Sequence, residues 1–384
     1  MSEWKKMKLS ECCNSIADGD HQPPPKAEAG IPFVTISNMT STNQFDFSDT
    51  LFVRQDYYDK LDEKRKARKD DILYSVVGSF GIPVFMKEDK AFVFQRHIAI
   101  LRPDNKVIVP RFLFYTMLTK DFYAKADAAA LGAAQRTVSL TSLRNMEISI
   151  PDKIQQIKIV DTLAAYDDLI ENNQKQIKLL EEAAQRLYKE WFVNLRFPEH
   201  EDAEIVDGVP LGWKIEEVGK LIGKVPRTTQ VLTANYHKTG KIPIIDQSKV
   251  FIAGYTDDET AMVDLGEPVI VFGDHTRVLK YIQFPFAKGA DGTQLIVSTN
   301  KNIPQSLLYC GLVNIDLSNY HYARHFKYLK AELLPVPTIE IAKQFDRYAS
   351  VLFKRIQVLR DEIKSATEAR DRLLPKLMSG EIEL

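Results

Sequence analysis

The chain has 384 residues, of which 45% are hydrophobic, and this composition is typical of a globular protein with room for two cores. Its net charge of −1 excludes a protein that binds nucleic acid through a strongly basic surface alone. No apolar run approaches the roughly 18 residues that a membrane helix needs, and the first four residues do not resemble a signal peptide. The cysteines Cys12, Cys13 and Cys310 suit neither a disulfide framework nor a zinc site. We therefore expect a metal-free protein of the bacterial or archaeal cytoplasm.

Two parts of the chain follow the same pattern. The first opens on Trp4-Lys5 and the second on Trp213-Lys214, and each closes on an extended run that ends at Pro151 or Pro337. A charged segment with periodic leucine and isoleucine follows each proline. The repeat is too long for a solenoid unit, so it predicts two similar modules, each with its own helix. The predicted boundaries are 1–150 for the first module, 151–197 for the first long helix, 198–336 for the second module and 337–384 for the second long helix.

Each module shows short apolar runs bounded by glycine and proline, which indicate a small β-rich core with few helices. In the first module the predicted strands are 32–36, 71–77 and a run from 91–94 through 97–101, followed by a helix at 110–118. In the second they are 242–245, 268–272 and 293–298, followed by a helix at 304–312. The predicted fold class is α+β, with two globular mixed α/β modules separated by two long antiparallel coiled-coil helices in a pseudo-two-fold internal repeat.

The segments after Pro151 and Pro337 carry seam residues at alternating intervals of three and four, as in a coiled coil. We expect Asp152 to cap the first helix. The seam of the first helix is Leu163, Tyr166, Ile170, Asn173, Ile177, Leu180, Ala184, Leu187 and Trp191. The corresponding residues of the second are Ala349, Leu352, Ile356, Leu359, Ile363, Ala366, Arg370, Leu373 and Leu377. Two matched seams should pack on each other. The polar Asn173 and Arg370 either specify the register or face solvent.

Several loops contain side chains that can hydrogen-bond to base edges or phosphates. These loops lie at 18–24, 95–97 and 134–137 in the first module, and at 273–277, 289–293 and 320–327 in the second. Each such side chain alone could equally be an exposed polar residue, but both modules place arginine-containing loops beside their strands. The candidate DNA-binding residues are His21, Gln22, Arg96, His97, Gln135, Arg136, Thr137, His275, Arg277, Asp291, Tyr322, Arg324, His325 and Lys327.

The densest basic run is Lys64-Arg65-Lys66-Ala67-Arg68-Lys69. It follows an acidic segment, which favours a solvated helix face. A clamp for DNA phosphates is the alternative interpretation.

Enzyme motifs are not found in the sequence. A Walker A motif is missing, and no glycine-rich turn between a strand and a helix resembles a dinucleotide or S-adenosylmethionine site. The pair Glu362 and Lys364 has the spacing of a nuclease site, but the intervening Ile363 belongs to the coiled-coil seam. We therefore predict a non-catalytic protein.

The tail Leu373-Leu374-Pro375-Lys376-Leu377-Met378-Ser379-Gly380-Glu381-Ile382 and the opening Val209-Pro210-Leu211-Gly212-Trp213-Lys214 resemble the specificity (S) subunit of a type I restriction–modification enzyme. The loops Asp18-Gly19-Asp20-His21 and Phe272-Gly273-Asp274-His275-Thr276-Arg277 are similar to further motifs of that family. The alternation of two modules with two long helices is also similar, so the likeness covers the whole chain.

The resemblance implies a DNA-recognition subunit without catalysis of its own. Each target-recognition domain would read one half of an asymmetric, interrupted DNA sequence, and the helices would set the spacing and dock two methylation (M) subunits. Restriction (R) subunits would join this core. The chain itself would hold no cofactor, because S-adenosylmethionine, ATP and Mg would bind only to the partner subunits. The complex would methylate adenine and cleave DNA at the expense of ATP.

We expect coiled-coil packing and partner docking to use Ile170, Asn173, Ile177, Leu180, Leu187, Trp191, Ile356, Leu359, Ile363, Leu373 and Leu377. We also expect Tyr188, Trp191, Phe192, Leu374 and Met378 to be exposed on the outer faces of the helices as a surface for a third partner. Two other functions remain open. One is an adaptor that joins two proteins through its coiled coil, and the other is a self-sufficient enzyme such as a nuclease.

Overall fold

The computed structural model of the chain describes residues 4–21, 24–40, 42–132, 136–206, 208–320 and 324–384. The chain folds as two compact units: unit 1 consists of Met1–Ile170 and Ser365–Leu384, and unit 2 consists of Glu171–Lys364. The long helices Lys153–Tyr188 and Ile339–Met378 each contribute residues to both units. A module therefore folds together with parts of both helices.

Unit 1 is built on two four-stranded sheets and a two-stranded one within the described residues. The first sheet is antiparallel, with the strands side by side in the order Cys13–Asp18, Ile98–Pro103, Ile72–Ser75 and Pro83–Phe85. The order in the second sheet is Lys26–Ala27, Leu51–Val53, Ile31–Val34 and Val93–Phe94, and its last pair is parallel. The small sheet pairs Lys5–Lys8 with Glu147–Ile150. The short helices are Leu9–Cys12, Ile36–Asn38, Gln55–Asp59, Glu63–Arg65, Pro110–Met117, Lys120–Ala129 and Leu140–Asn145.

Unit 2 has the same kinds of sheets. The antiparallel sheet has the order Ile222–Gly223, Thr293–Ser298, Val269–Gly273 and Leu279–Ile282. The mixed sheet has the order Gly254–Thr256, Ile242–Ile245, Phe286–Lys288 and Met262–Val263. The two-stranded sheets pair Lys214–Glu217 with Leu333–Val336 and Ile205–Val206 with Val209–Pro210. The short helices are Lys189–Val193, His200–Asp202, Val218–Leu221, Thr233–Asn235, Glu259–Ala261, Gln305–Asn314 and His325–Ala331.

The predicted internal repeat is confirmed strand by strand. In both antiparallel sheets the first strand of the sheet pairs with the last one in sequence, the last pairs with a middle strand, and the middle strand pairs with its hairpin partner. Both mixed sheets contain one parallel pair, Ile31–Val34 with Val93–Phe94 and Ile242–Ile245 with Phe286–Lys288. Every predicted strand and short helix is present, within a few residues of its predicted bounds. The sequence missed most of the two- and three-residue strands, because runs that short carry no periodicity, and it also missed the longer strands Cys13–Asp18 and Leu279–Ile282.

The long helices begin where the sequence places them. Asp152 caps the first helix, because its carboxylate accepts a hydrogen bond from the Gln155 N–H at 2.9 Å. Within each unit the two helices run antiparallel: Asp167 lies beside Arg370 in unit 1, and Asn173 beside Glu362 in unit 2. The first helix ends sooner than predicted, at Tyr188, and a π-helical turn follows.

The two polar seam residues each have a defined partner on the other helix. The Asn173 side chain is 1% exposed, and its Nδ2 donates to Oε2 of Glu362 at 2.8 Å. Nη1 of Arg370 donates to Oδ1 of Asp167 at 2.9 Å. A buried amide cannot shift along the seam without losing this bond, so these pairs favour one register. The solvent-facing interpretation of Asn173 is wrong.

The seam also contributes to the module cores. Trp191, Ile356, Leu359 and Leu377 are buried, while six of the other predicted residues are half-buried: Ile170, Ile177, Leu180, Leu187, Ile363 and Leu373. The prediction that Tyr188, Trp191 and Phe192 are exposed is wrong. Their rings pack against Phe345 in the core of unit 2. Leu374 and Met378 are half-buried against the core of unit 1.

Replacing Leu359 by alanine should lower the free energy of unfolding by roughly 2–5 kcal/mol, because this side chain is fully buried and its loss leaves a cavity. Leu179, which is 63% exposed on the first helix, is the matched control. Leu179→Ala should change the free energy by less than about 0.5 kcal/mol. Urea denaturation measures both, and equal losses would contradict the packing described here.

Candidate nucleic-acid interface

In unit 1 the loop at 18–21 lies directly against the loop at 95–97. The Asp20 N–H donates to the Phe94 carbonyl, and the Arg96 N–H donates to the Asp20 carbonyl, both at 2.9 Å. Gly19 permits this approach, because a Cβ there would lie 2.2 Å from the Phe94 oxygen. The polar residues of both loops therefore lie close together.

The third predicted loop of unit 1 joins the first two through Val76. The Val76 N–H donates to the His97 carbonyl at 2.9 Å, and the Val76 carbonyl accepts from the Val138 N–H at 2.9 Å. The Gly78 N–H donates to the Arg136 carbonyl at the same distance. The structure thus brings together the described parts of all three polar loops.

The side chains of this cluster differ in their exposure to solvent and in their bonds to other protein groups. His21 and Arg96 are exposed, with Nε2 of His21 2.8 Å from the Asp18 carboxylate. Arg136 is exposed as well, but it is ion-paired with Asp127 and its guanidinium lies 5.6 Å from the centre of the Phe80 ring. Two predicted residues are half-buried, His97 and Thr137. Two others lie outside the described residues, Gln22 and Gln135.

The basic run at 64–69 folds next to this cluster rather than as a helix face, since only the turn Glu63–Arg65 is helical. The Arg65 guanidinium lies 3.9 Å from the Asp18 carboxylate and 4.0 Å from that of Asp20. Asp20 also accepts a hydrogen bond from the hydroxyl of Tyr57. Burial and this bond raise the pKa of Tyr57 to about 12. The predicted helix face is wrong, and the phosphate clamp remains a prediction.

In unit 2 the three polar loops meet at Asp274, which the sequence did not single out as a site residue. Its N–H donates to the Gly292 carbonyl at 2.7 Å, and its carbonyl accepts from the His325 N–H at 2.9 Å. These two bonds repeat those of Val76 in unit 1. In addition, the buried carboxylate of Asp274 accepts from the Phe326 N–H at 2.8 Å. One residue therefore holds all three loops together.

Most of the predicted residues of unit 2 are exposed: His275, Arg277, Asp291, Arg324 and Lys327. Arg277 has a left-handed backbone (φ 61°), and its Nη1 donates to the Leu317 carbonyl at 3.0 Å. Tyr322 lies outside the described residues.

His325 does not fit its predicted contact with DNA, because its side chain is only 5% exposed. Its Nδ1 lies 2.9 Å from the Asp274 carbonyl and its Nε2 lies 2.8 Å from the Tyr320 carbonyl. Both ring nitrogens are thus occupied by the backbone. The residue positions the loop instead of reaching a ligand.

Three further residues of unit 2 belong to the cluster and were missed. Gln230 donates from Nε2 to the Gly289 carbonyl at 3.2 Å and to Asp291 at 3.3 Å. Gln247 bonds to the Asp291 carbonyl and to the His275 N–H. Arg227 is exposed and lies near Lys288, whose pKa is lowered by burial. Residues 224–230 follow the first strand of their sheet as residues 19–24 do in unit 1, and this correspondence could have indicated Arg227 and Gln230.

The loop that carries Gln247 is held by a buried lysine. Lys280 is 4% exposed, and its amine donates to the carbonyls of Asp246 at 2.9 Å and Val250 at 2.5 Å. Burial lowers the pKa of Lys280 to about 8, and the nearby Asp246 carboxylate offsets only part of that effect.

This pKa predicts a pH dependence of stability. Between pH 8 and 10.5 the unfolded chain keeps a proton on Lys280 that the folded chain has released. Raising the pH through this window therefore stabilises the fold. Relative to Lys280→Met, the free energy of unfolding of the wild type should rise by roughly 2 kcal/mol from about pH 7.5 to 9.5. Denaturation curves of both proteins measure the difference, and a falling difference would contradict a buried amine.

The described residues contain no group of three or more side chains with the chemistry of a metal site. None of the helices in the described ranges is long and apolar enough to cross a membrane. The fold and the loop clusters together define a duplicated two-module protein with one polar loop cluster in each module.

A family model for the type I restriction modification DNA specificity domain matches residues 1–182. The MjaIX specificity subunit of Methanocaldococcus jannaschii is 25% identical over 304 residues, which are 72% of this chain and 70% of that protein. A putative MjaX specificity subunit of the same organism is 22% identical across the whole chain and 94% of its own length. The solved S subunit from M. genitalium shares the fold, with a TM-score of 0.61 at 16% identity over 98% of this chain and 96% of that one.

Residues 1–182 match the DNA specificity domain of type I restriction–modification enzymes, and the chain is similar to specificity subunits of such enzymes along its whole length. These similarities favour a specificity subunit over the adaptor and the nuclease.

Proposed function

We propose that the protein is the DNA-recognition subunit of a type I restriction–modification complex, in which each unit reads one half of an asymmetric, interrupted target. The repeated hydrogen bonds at Val76 and Asp274 are the observation that carries this proposal. They indicate that the same three-loop surface has been built twice, with different side chains on it. Two similar surfaces with different chemistry suit a target with two different halves.

The exposed members of the two clusters are the proposed DNA contacts. Arginine pairs with guanine through two hydrogen bonds, and a carboxylate accepts from the amino group of cytosine. Arg96 and His21 would supply such contacts in unit 1, and Arg324, His275 and Asp291 in unit 2. Arg136 and Arg277 already bond within the protein, so a base contact would have to share or replace those bonds.

The test is to map methylated adenines by long-read sequencing in cells that carry the chain together with methylation subunits. We expect one interrupted motif that disappears when the chain is deleted. A motif that persists without the chain would contradict the proposal.

The helices would fix the spacing between the two half-sites. Inserting four residues, about one turn, between residues 170 and 171 should lengthen the helix by ~6 Å. The unread spacer of the methylated motif should then change while the bases of both half-sites stay the same. An unchanged spacer would show that the helices do not set this distance. Replacing the exposed Asn172 and Gln174 by alanine controls for local disruption of the helix.

The docking surface for the methylation subunits is proposed from residues that are in fact exposed. Tyr348, Val351 and Val358 lie on one stripe of the second helix and are 57%, 62% and 46% exposed. Such a stripe is typical of a protein interface.

We place two methylation subunits and the restriction subunits among the partners, and S-adenosylmethionine, ATP and Mg in those partners only. Because the target is cellular DNA, the complex would act in the cytoplasm.

A further inference from the structure

Gln247 connects two neighbouring loops of unit 2 to its own loop. Its Nε2 donates to the Asp291 carbonyl at 2.8 Å, and its Oε1 accepts from the His275 N–H at 3.2 Å. Its backbone carbonyl accepts from the Thr276 hydroxyl at 2.5 Å. One side chain thus spans the loops that carry the exposed His275 and Asp291.

Two glycines shape the space that Gln247 occupies. A Cβ at Gly273 would lie 2.9 Å from the Gln247 Cβ. A Cβ at Gly292 would lie 2.8 Å from both amide atoms of Gln247, and the φ of +82° at Gly292 also favours glycine. A Cβ at position 292 would displace the amide, whereas a Cβ at position 273 would press on the Gln247 Cβ and on the Thr276 hydroxyl, 2.1 Å away. The lack of a Cβ at both glycines therefore leaves room for the Gln247 side chain.

Unit 1 has no such amide at the corresponding position. The Gln95 N–H donates to the Val34 carbonyl, and the Gly289 N–H donates to the Ile245 carbonyl, so Val34 corresponds to Ile245. Two residues further on, unit 1 has Ile36, which packs against an apolar core. The bridge that the Gln247 side-chain amide makes between two loops therefore has no counterpart at the corresponding position of unit 1.

We propose that Gln247 is a positioning residue for base recognition by unit 2, an inference that rests on the proposed function. It holds His275 and Asp291 at a constant separation, so that both reach their base edges with good hydrogen-bond geometry. A base-edge hydrogen bond weakens steeply when its angle or length changes. Loss of the amide should therefore relax discrimination between bases at the second half-site rather than weaken all DNA binding equally.

The experiment compares Gln247→Met, which keeps the volume but loses both amide bonds, with Gln247→Glu, which keeps an acceptor for His275 and loses the donor to Asp291. Gln44→Met is the control, because Gln44 is exposed in unit 1 outside all candidate loops. Each full-length variant is combined with methylation subunits. Base preference at every position is then measured by selection from randomised duplexes, together with the midpoint of thermal unfolding.

In Gln247→Met we expect discrimination to fall about tenfold at one or more positions of one half-site, the size of one good base contact. The other half-site and the unfolding midpoint should be unchanged, and Gln247→Glu should show a smaller loss at the same positions.

Wild-type preferences in both variants would overturn the inference. An equal loss of affinity for all DNA sequences, together with a lower midpoint of thermal unfolding, would also overturn it, because that result indicates a purely structural role. If Gln247→Met does not fold, Gln247→Glu alone decides. A wild-type complex without any base preference would overturn the proposed function and this inference with it.

Discussion

Exchanging residues 1–150 for the first module of another specificity subunit should replace one half of the methylated DNA sequence and leave the other half unchanged. The physical reason is that the three-loop cluster of unit 1 is closed by bonds within that unit, at Asp20, Val76 and Gly78. The cluster of unit 2 is closed separately at Asp274. Among the described residues, the backbone hydrogen bonds that close each set of loops lie within its own unit.

Long-read mapping of methylated adenines measures the outcome in cells that contain the hybrid and its methylation subunits. The reciprocal exchange of residues 198–336 is the control, and it should replace the opposite half of the sequence. A simultaneous change of both halves in either hybrid would show that the modules do not read DNA independently.

Replacing Val351 by aspartate should abolish assembly with methylation subunits while leaving the chain folded. Val351 is 62% exposed at the centre of the apolar stripe on the second helix. A carboxylate buried without a partner in an interface costs several kcal/mol, and each ~1.4 kcal/mol is a factor of ten in affinity. We expect affinity for the methylation subunits to fall by more than about a hundredfold.

The matched control is Val206→Asp, the same substitution at a residue of unit 2 that is 41% exposed and belongs to a short strand, not to a long helix. Size-exclusion chromatography of the complex measures assembly, and thermal unfolding of the chain reports on its fold. Normal assembly of Val351→Asp would place the docking surface elsewhere. A loss of assembly in both variants would point to a general effect of added charge.

The corrections concern residues whose environment is set by distant parts of the chain. The exposed Arg277 stays a predicted DNA contact, but its bond to the Leu317 carbonyl, forty residues away in sequence, was not foreseen. His325 is buried between Asp274 and Tyr320. Tyr188 and Phe192 lie outside the predicted seam, yet they are covered by the core of unit 2. A pattern along the chain cannot indicate such partners.

The sequence by itself determined the duplicated modules, the two long helices and the position of most polar loops. These features depend on local signals, namely the three- and four-residue period of the seam, apolar runs between glycine and proline, and the cap at Asp152. Tertiary structure alone decided that the loops meet at Val76 and Asp274, that Gln247 bridges two of them, and that Asn173 pairs with Glu362. The reason is that a hydrogen bond requires two groups to meet, and the second group here lies tens to hundreds of residues away.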